Sequence, residues 1–201
     1  MATKRIIFLN WAELQAVYRH TFSAAHKHME TVRDVFCFSC FTSLRYSDVS
    51  NLRRANVFDN YIVITTIKTA DTIQIELNKY SRALLDKYAN QVFPGDNALP
   101  VISNQEMNRV LKDVGKVCSI NRPVTVTYYK GNERIDKTVP KYALIGTHTG
   151  RRTFICNALS MGIPPQVVMK WTGHSDYKAM KPYIDIADTA KIEAMNKFNH
   201  F

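Results

Sequence analysis

Residues 148–183 read HTGRRTFICNALSMGIPPQVVMKWTGHSDYKAMKPY. The stretch begins with a histidine and a doubled arginine, and it ends with a second histidine, His174, and a tyrosine, Tyr183. Apolar residues at helical spacing lie between these groups, with glycines and a Pro164-Pro165 pair as interruptions. Glycine and proline mark helix ends. The pattern therefore predicts short helices whose joints bring the polar side chains together.

The residue types in this stretch favour attack on a phosphate. Arginine binds phosphate oxygens through two parallel hydrogen bonds, and tyrosine can act as a covalent nucleophile. The stretch has neither a Ser/His/Asp triad nor carboxylates at metal-ligand spacing. We therefore expect a reaction that uses no metal and no cofactor.

Three residues define this set further, and one of them, Arg151, is the first of the doubled arginine. Arg151 follows His148 by three positions, so both side chains share a face at the start of a helix. Far upstream, Arg45 in L-R-Y-S-D-V lies where one helix turns into the next, and Asp48 can pair with it and hold it rigid. Taken alone, Arg45 also fits an ordinary ion pair at a helix end.

The overall charge favours a polyanionic partner. The 201 residues include 27 Lys and Arg against 17 Asp and Glu, a formal net charge of +10. Nucleic acid is the simplest partner for such a chain, although charge alone does not separate DNA from RNA or acidic lipid. The sequence has no apolar run of about 18 residues and no signal peptide, so we expect a cytoplasmic location.

Hydrophobic periodicity predicts a single mixed domain, residues 1–201, that is mostly α-helical with small antiparallel β-hairpins. Asn10 and Glu13 form a capping-box pattern at the start of the first helix. Alternating β-branched residues predict the hairpins. The further helices are expected at residues 26–40, 47–52, 79–89 and 104–117 and from 148 onwards, and the hairpins at 61–77 and 123–140.

The second hairpin turns at Lys130-Gly131-Asn132 and carries Lys130, Arg134 and Lys137. These cations suit a flap that faces DNA, and a solvated surface hairpin explains them equally well. The C-x-x-C pair of Cys37 and Cys40 lies in an apolar helix without a second ligand pair, which favours core cysteines over a zinc or redox site.

Five separated motifs resemble the tyrosine recombinase (phage integrase) catalytic domain. They are L-R-Y-S-D-V, I-K-T, H-T-G-R-R, W-T-G-H and a tyrosine nine positions after His174. The resemblance runs from about Asp34 to Ile186 and is closest to integrases of conjugative transposons in Bacteroides-type bacteria. It implies an enzyme that cuts and rejoins double-stranded DNA without metal or ATP.

The resemblance implies that Arg45 and Arg151 clamp the scissile phosphate and that His174 donates to a non-bridging oxygen. Arg152 is a further candidate contact to DNA. Asp48 is expected to support the arginines from behind.

The resemblance also assigns the proton transfers and the nucleophile. His148 assists proton movement at the nucleophile, and Tyr183 forms a 3′-phosphotyrosyl bond. Lys68, in the first hairpin, protonates the leaving 5′-oxygen, although Lys79 and Lys87 lie close enough in sequence to be confused with it. Tyr177 competes with Tyr183, and the spacing from the second histidine favours Tyr183.

The chain also departs from the resemblance. Only about 30 residues precede the buried helix, so a separate core-binding domain is not expected in this chain, which is either a fragment or a minimal member. We expect weak DNA binding, a monomer alone and a homotetramer on DNA. Apolar residues at three-residue spacing, Ile192, Met195 and Phe198, fit a last helix that packs on its own domain or docks on a neighbouring protomer.

Two other functions stay open at the level of sequence. Relaxation of DNA in the manner of a type IB topoisomerase uses the same chemistry without strand exchange. A DNA-binding module without catalysis would use the helices near Arg151 to Trp171 in the manner of a helix-turn-helix.

Overall fold

The computed structural model describes residues 6–186, and its architecture confirms the predicted fold class. Helices surround one long central helix, and two separate antiparallel hairpins complete the fold. The elements in chain order are α1 (Trp11–Arg19), α2 (Lys27–Thr42), α3 (Tyr46–Ser50), β1 (Tyr61–Thr65), β2 (Thr72–Glu76), α4 (Lys79–Tyr88), α5 (Asn104–Val117), β3 (Pro123–Lys130), β4 (Glu133–Pro140), α6 (Thr147–Ser160), α7 (Pro165–Thr172) and α8 (Lys181–Ile186).

The predicted capping box is present at the start of α1. The side chain of Asn10 accepts the N–H of Glu13 at 2.9 Å, and the Glu13 carboxylate accepts the N–H of Asn10 at 2.8 Å. These two bonds satisfy amide groups that a helix start leaves without partners.

Helix α2 is the centre of the fold. Its residues from Val32 to Thr42 are buried, and it packs against α1, α4, α5 and α6. Its approach to α6 is tight, because a Cβ built on Gly150 would lie only 2.8 Å from the Cβ of Ser39. Only glycine at position 150 lets α6 lie this close to α2 without a shift of one helix.

The end of α2 has an unusual backbone. Ser43 follows the helix with a φ of +66° in the left-handed region, and its side chain is buried. This turn redirects the chain into α3 and points the Ser43 carbonyl towards α6. Left-handed backbone is unfavourable for residues with a Cβ, so surrounding contacts must hold it.

The two hairpins differ in burial. In β1–β2 one face is buried, with Ile62 opposite Ile75 and Ile64 opposite Ile73. The β3–β4 hairpin is mostly exposed along its eight paired positions, and Val124 is its buried residue. The first hairpin is therefore part of the body, whereas the second projects from it.

A second, smaller hydrophobic cluster attaches α7 and α8 to α6. It contains Ile155 and Leu159 of α6, Val168 of α7 and Met180, which directly precedes α8. Tyr183 packs against this cluster. The last described helix is therefore held beside α6.

Cys37 and Cys40 are core residues, as predicted, and burial raises the pKa of both thiols. Within residues 6–186, no three His, Cys, Asp or Glu side chains come together as a possible metal site. The same residues include no helix with the length and apolar character needed to cross a membrane. The predicted apolar helix at residues 192–198 lies outside the described part of the chain.

Candidate active site

Arg45 is held at the joint between α2 and α3. Its N–H donates to Oδ2 of Asp48 at 3.3 Å, and its guanidinium Nη1 lies 3.8 Å from the same oxygen. The Asp48 side chain is buried. The predicted pairing of these two residues is therefore present.

Asp48 also joins this site to the first hairpin. Its second carboxylate oxygen, Oδ1, accepts the N–H of Ile67 at 3.0 Å. Ile67 begins the tight turn between β1 and β2, and Lys68 is the next residue. One buried carboxylate thus fixes the position of Arg45 relative to the turn that carries Lys68.

Lys68 is exposed, and its charge lowers the pKa of both predicted site histidines, so it lies within electrostatic reach of them. The alternative lysines are engaged elsewhere. Lys79 lies over the ring of Tyr80 at 5.1 Å, and Lys87 pairs with Asp34 at 2.6 Å. Of the three lysines, Lys68 is the one whose charge acts on both histidines.

Arg151 is a buried cation whose hydrogen bonds tie three parts of the chain together. Nη1 donates to the carbonyl of Ser43 at 3.2 Å, and Nη2 donates to the carbonyl of Thr172 at 2.6 Å. Nη2 also lies 3.3 Å from Nε2 of His174. Among the described residues, the hydrogen-bond partners of this guanidinium are neutral, and none of them is a carboxylate.

The hydrogen bonds of His174 define its tautomer. A guanidinium only donates, so Nε2 of His174 accepts from Arg151. In the neutral ring the proton is then on Nδ1, which lies 2.8 Å from the hydroxyl oxygen of Thr172. That hydroxyl donates in turn to the carbonyl of Val168 at 2.9 Å. Gly173, with a φ of +63°, makes the left-handed turn from α7 to the histidine.

Burial and crowded positive charge shift the pKa values in the site. Burial lowers the pKa of His174 to about 4, and the neighbouring cations contribute to this decrease in the order Arg151, Arg45 and Lys68. The pKa of Arg151 falls to about 10, first through burial and then through the charge of Arg45. These shifts follow from placing like charges together in a partly desolvated space.

His148 is the second residue of α6 and remains exposed. Partial desolvation lowers its pKa, and the first cation to add to the shift is Arg152, followed by Arg151. The helix start is fixed by Asn108 of α5, whose side-chain oxygen accepts the N–H of Thr147 at 2.9 Å. The imidazole is therefore neutral and accessible near neutral pH.

Tyr183 is half-buried on α8, where it packs against the α6–α7 cluster. Its ionised form would raise the pKa of Arg151, so the phenol lies within electrostatic reach of the guanidinium. Tyr177 lies on a separate helical turn with an exposed side chain. The structure therefore brings Tyr183, Arg151, Arg45, Lys68, His148 and His174 into one region, with Asp48 beneath.

Comparison with known proteins identifies the family. The model of the Phage integrase family matches residues 9–190. The chain belongs to this family, the tyrosine recombinases. No curated protein sequence matches the chain significantly.

Solved structures with the same fold are distant in sequence. A XerA recombinase has a TM-score of 0.69 at 15% identity, with 96% of this chain and 65% of that chain covered. XerH recombinase bound to palindromic difH substrate, in a post-cleavage complex, has a TM-score of 0.67 at 16% identity, with 96% and 54% covered. The catalytic core of lambda integrase has a TM-score of 0.58 at 16% identity, with 85% and 93% covered.

At such identities the likeness shows the fold alone. The chain spans 54% of the XerH recombinase and 65% of the XerA recombinase. Its fold is that of the tyrosine recombinase catalytic domain.

The cations of the second hairpin lie apart from this cluster. Because cross-strand neighbours share a face, Lys130 and Lys137 lie on one face of β3–β4, and Arg134 lies on the other. Arg134 pairs with Asp136 at 3.1 Å, which offsets its charge. Arg152, by contrast, lies on α6 beside His148.

Three groups that hydrogen-bond to the site residues were not predicted from the sequence: the Thr172 side chain, the Ser43 carbonyl and the Ile67 amide. Thr172 orients His174, and it could have been suspected because it lies within W-T-G-H. The carbonyl of Ser43 and the amide of Ile67 left no signal, because main-chain groups carry no residue-type pattern.

Removal of the Asp48 carboxylate should destabilise the protein and displace Arg45 and Lys68 together. Asp48→Ala buries no carboxylate and leaves the partly buried N–H groups of Arg45 and Ile67 without this acceptor, so we expect a loss of about 1 kcal/mol of unfolding free energy in urea titrations. Asp48→Asn keeps one acceptor oxygen and should lose less. Asp96→Ala is the matched control, since exposed Asp96 pairs with Arg54 at the surface. Equal losses for Asp48→Ala and Asp96→Ala would contradict the bridging role.

Proposed function

We propose that the chain is the catalytic part of a site-specific DNA recombinase, which cleaves and rejoins DNA through a covalent 3′-phosphotyrosyl intermediate on Tyr183. The observation that carries the proposal is the gathering of two arginines, one lysine and two histidines beside a single tyrosine. A scissile phosphate is the ligand that would offset this crowded charge. DNA as the substrate is supported by the similarity to recombinases bound to DNA sites, XerH and lambda integrase.

In the proposed reaction, Arg45 and Arg151 bind the non-bridging oxygens of the phosphate. Arg151 is already anchored by two main-chain carbonyls, so little reorganisation accompanies binding. His174 lies 3.3 Å from Arg151 and donates to the phosphate once the anion raises its pKa. These groups stabilise the charge that develops on the phosphoryl oxygens in the transition state.

The proposed reaction exchanges one bond between phosphorus and oxygen for another. The phenol oxygen of Tyr183 forms a bond to phosphorus while the bond from phosphorus to the 5′-oxygen breaks. The phenol proton passes to the neutral imidazole of His148, and the ammonium of Lys68 gives a proton to the leaving 5′-oxygen. Because the phosphodiester energy is kept in the tyrosyl linkage, the reverse steps rejoin DNA without ATP.

A mobile element is the proposed setting of this reaction. We propose that the chain belongs with the integrases of Bacteroides-type conjugative transposons, which its motif set from Arg45 to Tyr183 resembles. The Tn1549 transposon integrase in complex with transposon right end DNA has the same fold, with a TM-score of 0.56 at 14% identity. In this proposal, integration and excision of the element use the same steps of strand cleavage and rejoining.

We further propose a homotetramer on DNA formed from chains that are monomeric alone. The lambda integrase dimer bound to a COC' core site supports assembly on DNA. Docking of residues 192–198 on a neighbouring protomer is part of this proposal and concerns a segment outside the described residues. Relaxation by a lone subunit is the second candidate reaction, and it would give relaxed circles rather than recombinants.

The projecting hairpin is the proposed flap over the DNA backbone. Lys130 and Lys137 are exposed on one face, where no ion pair with a described residue offsets their charge. Their neighbour Tyr128 is 49% exposed and adds an aromatic surface to the same face. Cations next to aromatic rings suit a nucleic-acid backbone.

The covalent intermediate is testable with nicked suicide duplexes. A nick just 3′ of the scissile phosphate lets the short 5′-hydroxyl strand diffuse away, so the adduct accumulates. Because the site is unknown, the duplexes carry randomised arms, and adducts are selected on denaturing gels. We expect adducts with the wild type and with Tyr177→Phe, and none with Tyr183→Phe. Wild-type adduct no greater than that of Tyr183→Phe would overturn the proposal.

The flap is testable by the salt dependence of binding to duplex DNA. In fluorescence anisotropy titrations, the steepness of log K against log salt should fall by about 0.9 for each phosphate that the Lys130→Ala, Lys137→Ala double variant no longer neutralises. Glu133→Gln in the same hairpin removes no cation and should leave the slope unchanged. An unchanged slope in the double variant means that the hairpin does not bind the DNA backbone.

A further inference from the structure

A side-chain hydrogen bond connects the first hairpin to α7. The indole Nε1–H of Trp171 donates to Oε2 of Glu76 at 2.5 Å. Glu76 is the last residue of β2, and Trp171 is the second-last residue of α7. This hydrogen bond also lowers the pKa of Glu76, so its carboxylate is ionised at neutral pH.

The turn of the β1–β2 hairpin is attached to Asp48 beside Arg45, and the base of the hairpin is attached to α7. At the turn, the N–H of Ile67 is bound by Asp48, which also holds Arg45. At the base, Glu76 is bound by Trp171, three residues before His174. Lys68 therefore lies on a hairpin that these two attachments hold in addition to the packing of its buried isoleucine face.

Trp171 is partly buried and packs against the main hydrophobic core. Its ring meets the edge of Phe154 at a centroid distance of 5.9 Å and an interplanar angle of 80°. Beside it lies an apolar cavity of about 350 Å³ that Trp171 and Glu76 both line. Because one side of the ring lines this cavity, the hydrogen bond to Glu76 adds to packing in fixing the orientation of the ring.

We propose that Glu76 and Trp171 are positioning residues that hold the Lys68 hairpin in register with His174. The pair acts through the two site residues and is not itself assigned a contact with the reacting phosphate. This inference rests on the proposed function, in which Lys68 protonates the leaving 5′-oxygen. Displacement of a proton donor by about 1 Å can slow a reaction about 100-fold, so a small shift of the hairpin is enough to matter.

A sulfur leaving group separates positioning of Lys68 from general stability. In a duplex with sulfur in place of the bridging 5′-oxygen, the leaving thiolate needs no proton donor. Trp171→Phe keeps an aromatic ring against Phe154 but removes the N–H donor, and Glu76→Ala removes the acceptor. We expect both variants to slow single-turnover cleavage of the oxygen substrate by about 10- to 100-fold and to cleave the sulfur substrate at close to the wild-type rate.

Two further variants complete the test. Glu76→Gln keeps an acceptor oxygen for the indole and should retain most of the activity. The Trp171→Phe, Glu76→Ala double variant should be no slower than either single variant, because both remove the same bond. Thermal unfolding of each variant checks that the fold is intact, and Glu76→Gln against Glu76→Ala carries the test if Trp171→Phe does not fold.

The outcomes distinguish this inference from the proposed function. Lys68→Ala is the reference, and sulfur should restore its cleavage. If sulfur restores Lys68→Ala but leaves Trp171→Phe and Glu76→Ala slow, the positioning role is wrong and the proposed function stands. If sulfur restores none of the three, the role of Lys68 is wrong, and the inference about Glu76 and Trp171 falls with it.

Discussion

The anchoring of the Arg151 guanidinium is the interaction on which the site depends. Two main-chain carbonyls hold it, from Ser43 at the end of α2 and from Thr172 at the end of α7. The hydrogen bond to the Ser43 carbonyl forms because Ser43 adopts left-handed backbone. The close approach of α6 to α2 at Gly150 brings the arginine within reach of this carbonyl. A buried cation held by neutral acceptors keeps most of its charge available to an anion.

The positive charges of Arg45 and Arg151 lower the pKa values of neighbouring groups, in addition to the effect of burial. Arg45 lowers the pKa of Arg151, and both lower the pKa of His174. Asp48 offsets part of this charge and holds Arg45 beside the Lys68 turn. The free protein thus holds like charges together at a cost that a bound phosphate would remove. Such preorganisation is the usual source of electrostatic transition-state stabilisation.

The elements were predictable from sequence because their signals are local. The Asn10 capping box, the alternation in both hairpins and the Gly173 break each depend on a few neighbouring residues. The resemblance of five motifs identified the residues that the structure brings together. The hydrogen bonds that orient those residues were not predictable, because they join main-chain or side-chain atoms far apart in sequence, as between Ile67 and Asp48 or Glu76 and Trp171.

The central claim, that these cations form a preorganised phosphate site, is tested most directly by the pKa of His174. NMR titration of its ring nitrogens should give a pKa of about 4 in the free protein. Sulfate keeps its charge over this pH range and stands in for phosphate, and its binding should raise that pKa by adding negative charge beside the ring. A pKa near the ordinary value of histidine, about 6.5, that sulfate leaves unchanged would contradict the account.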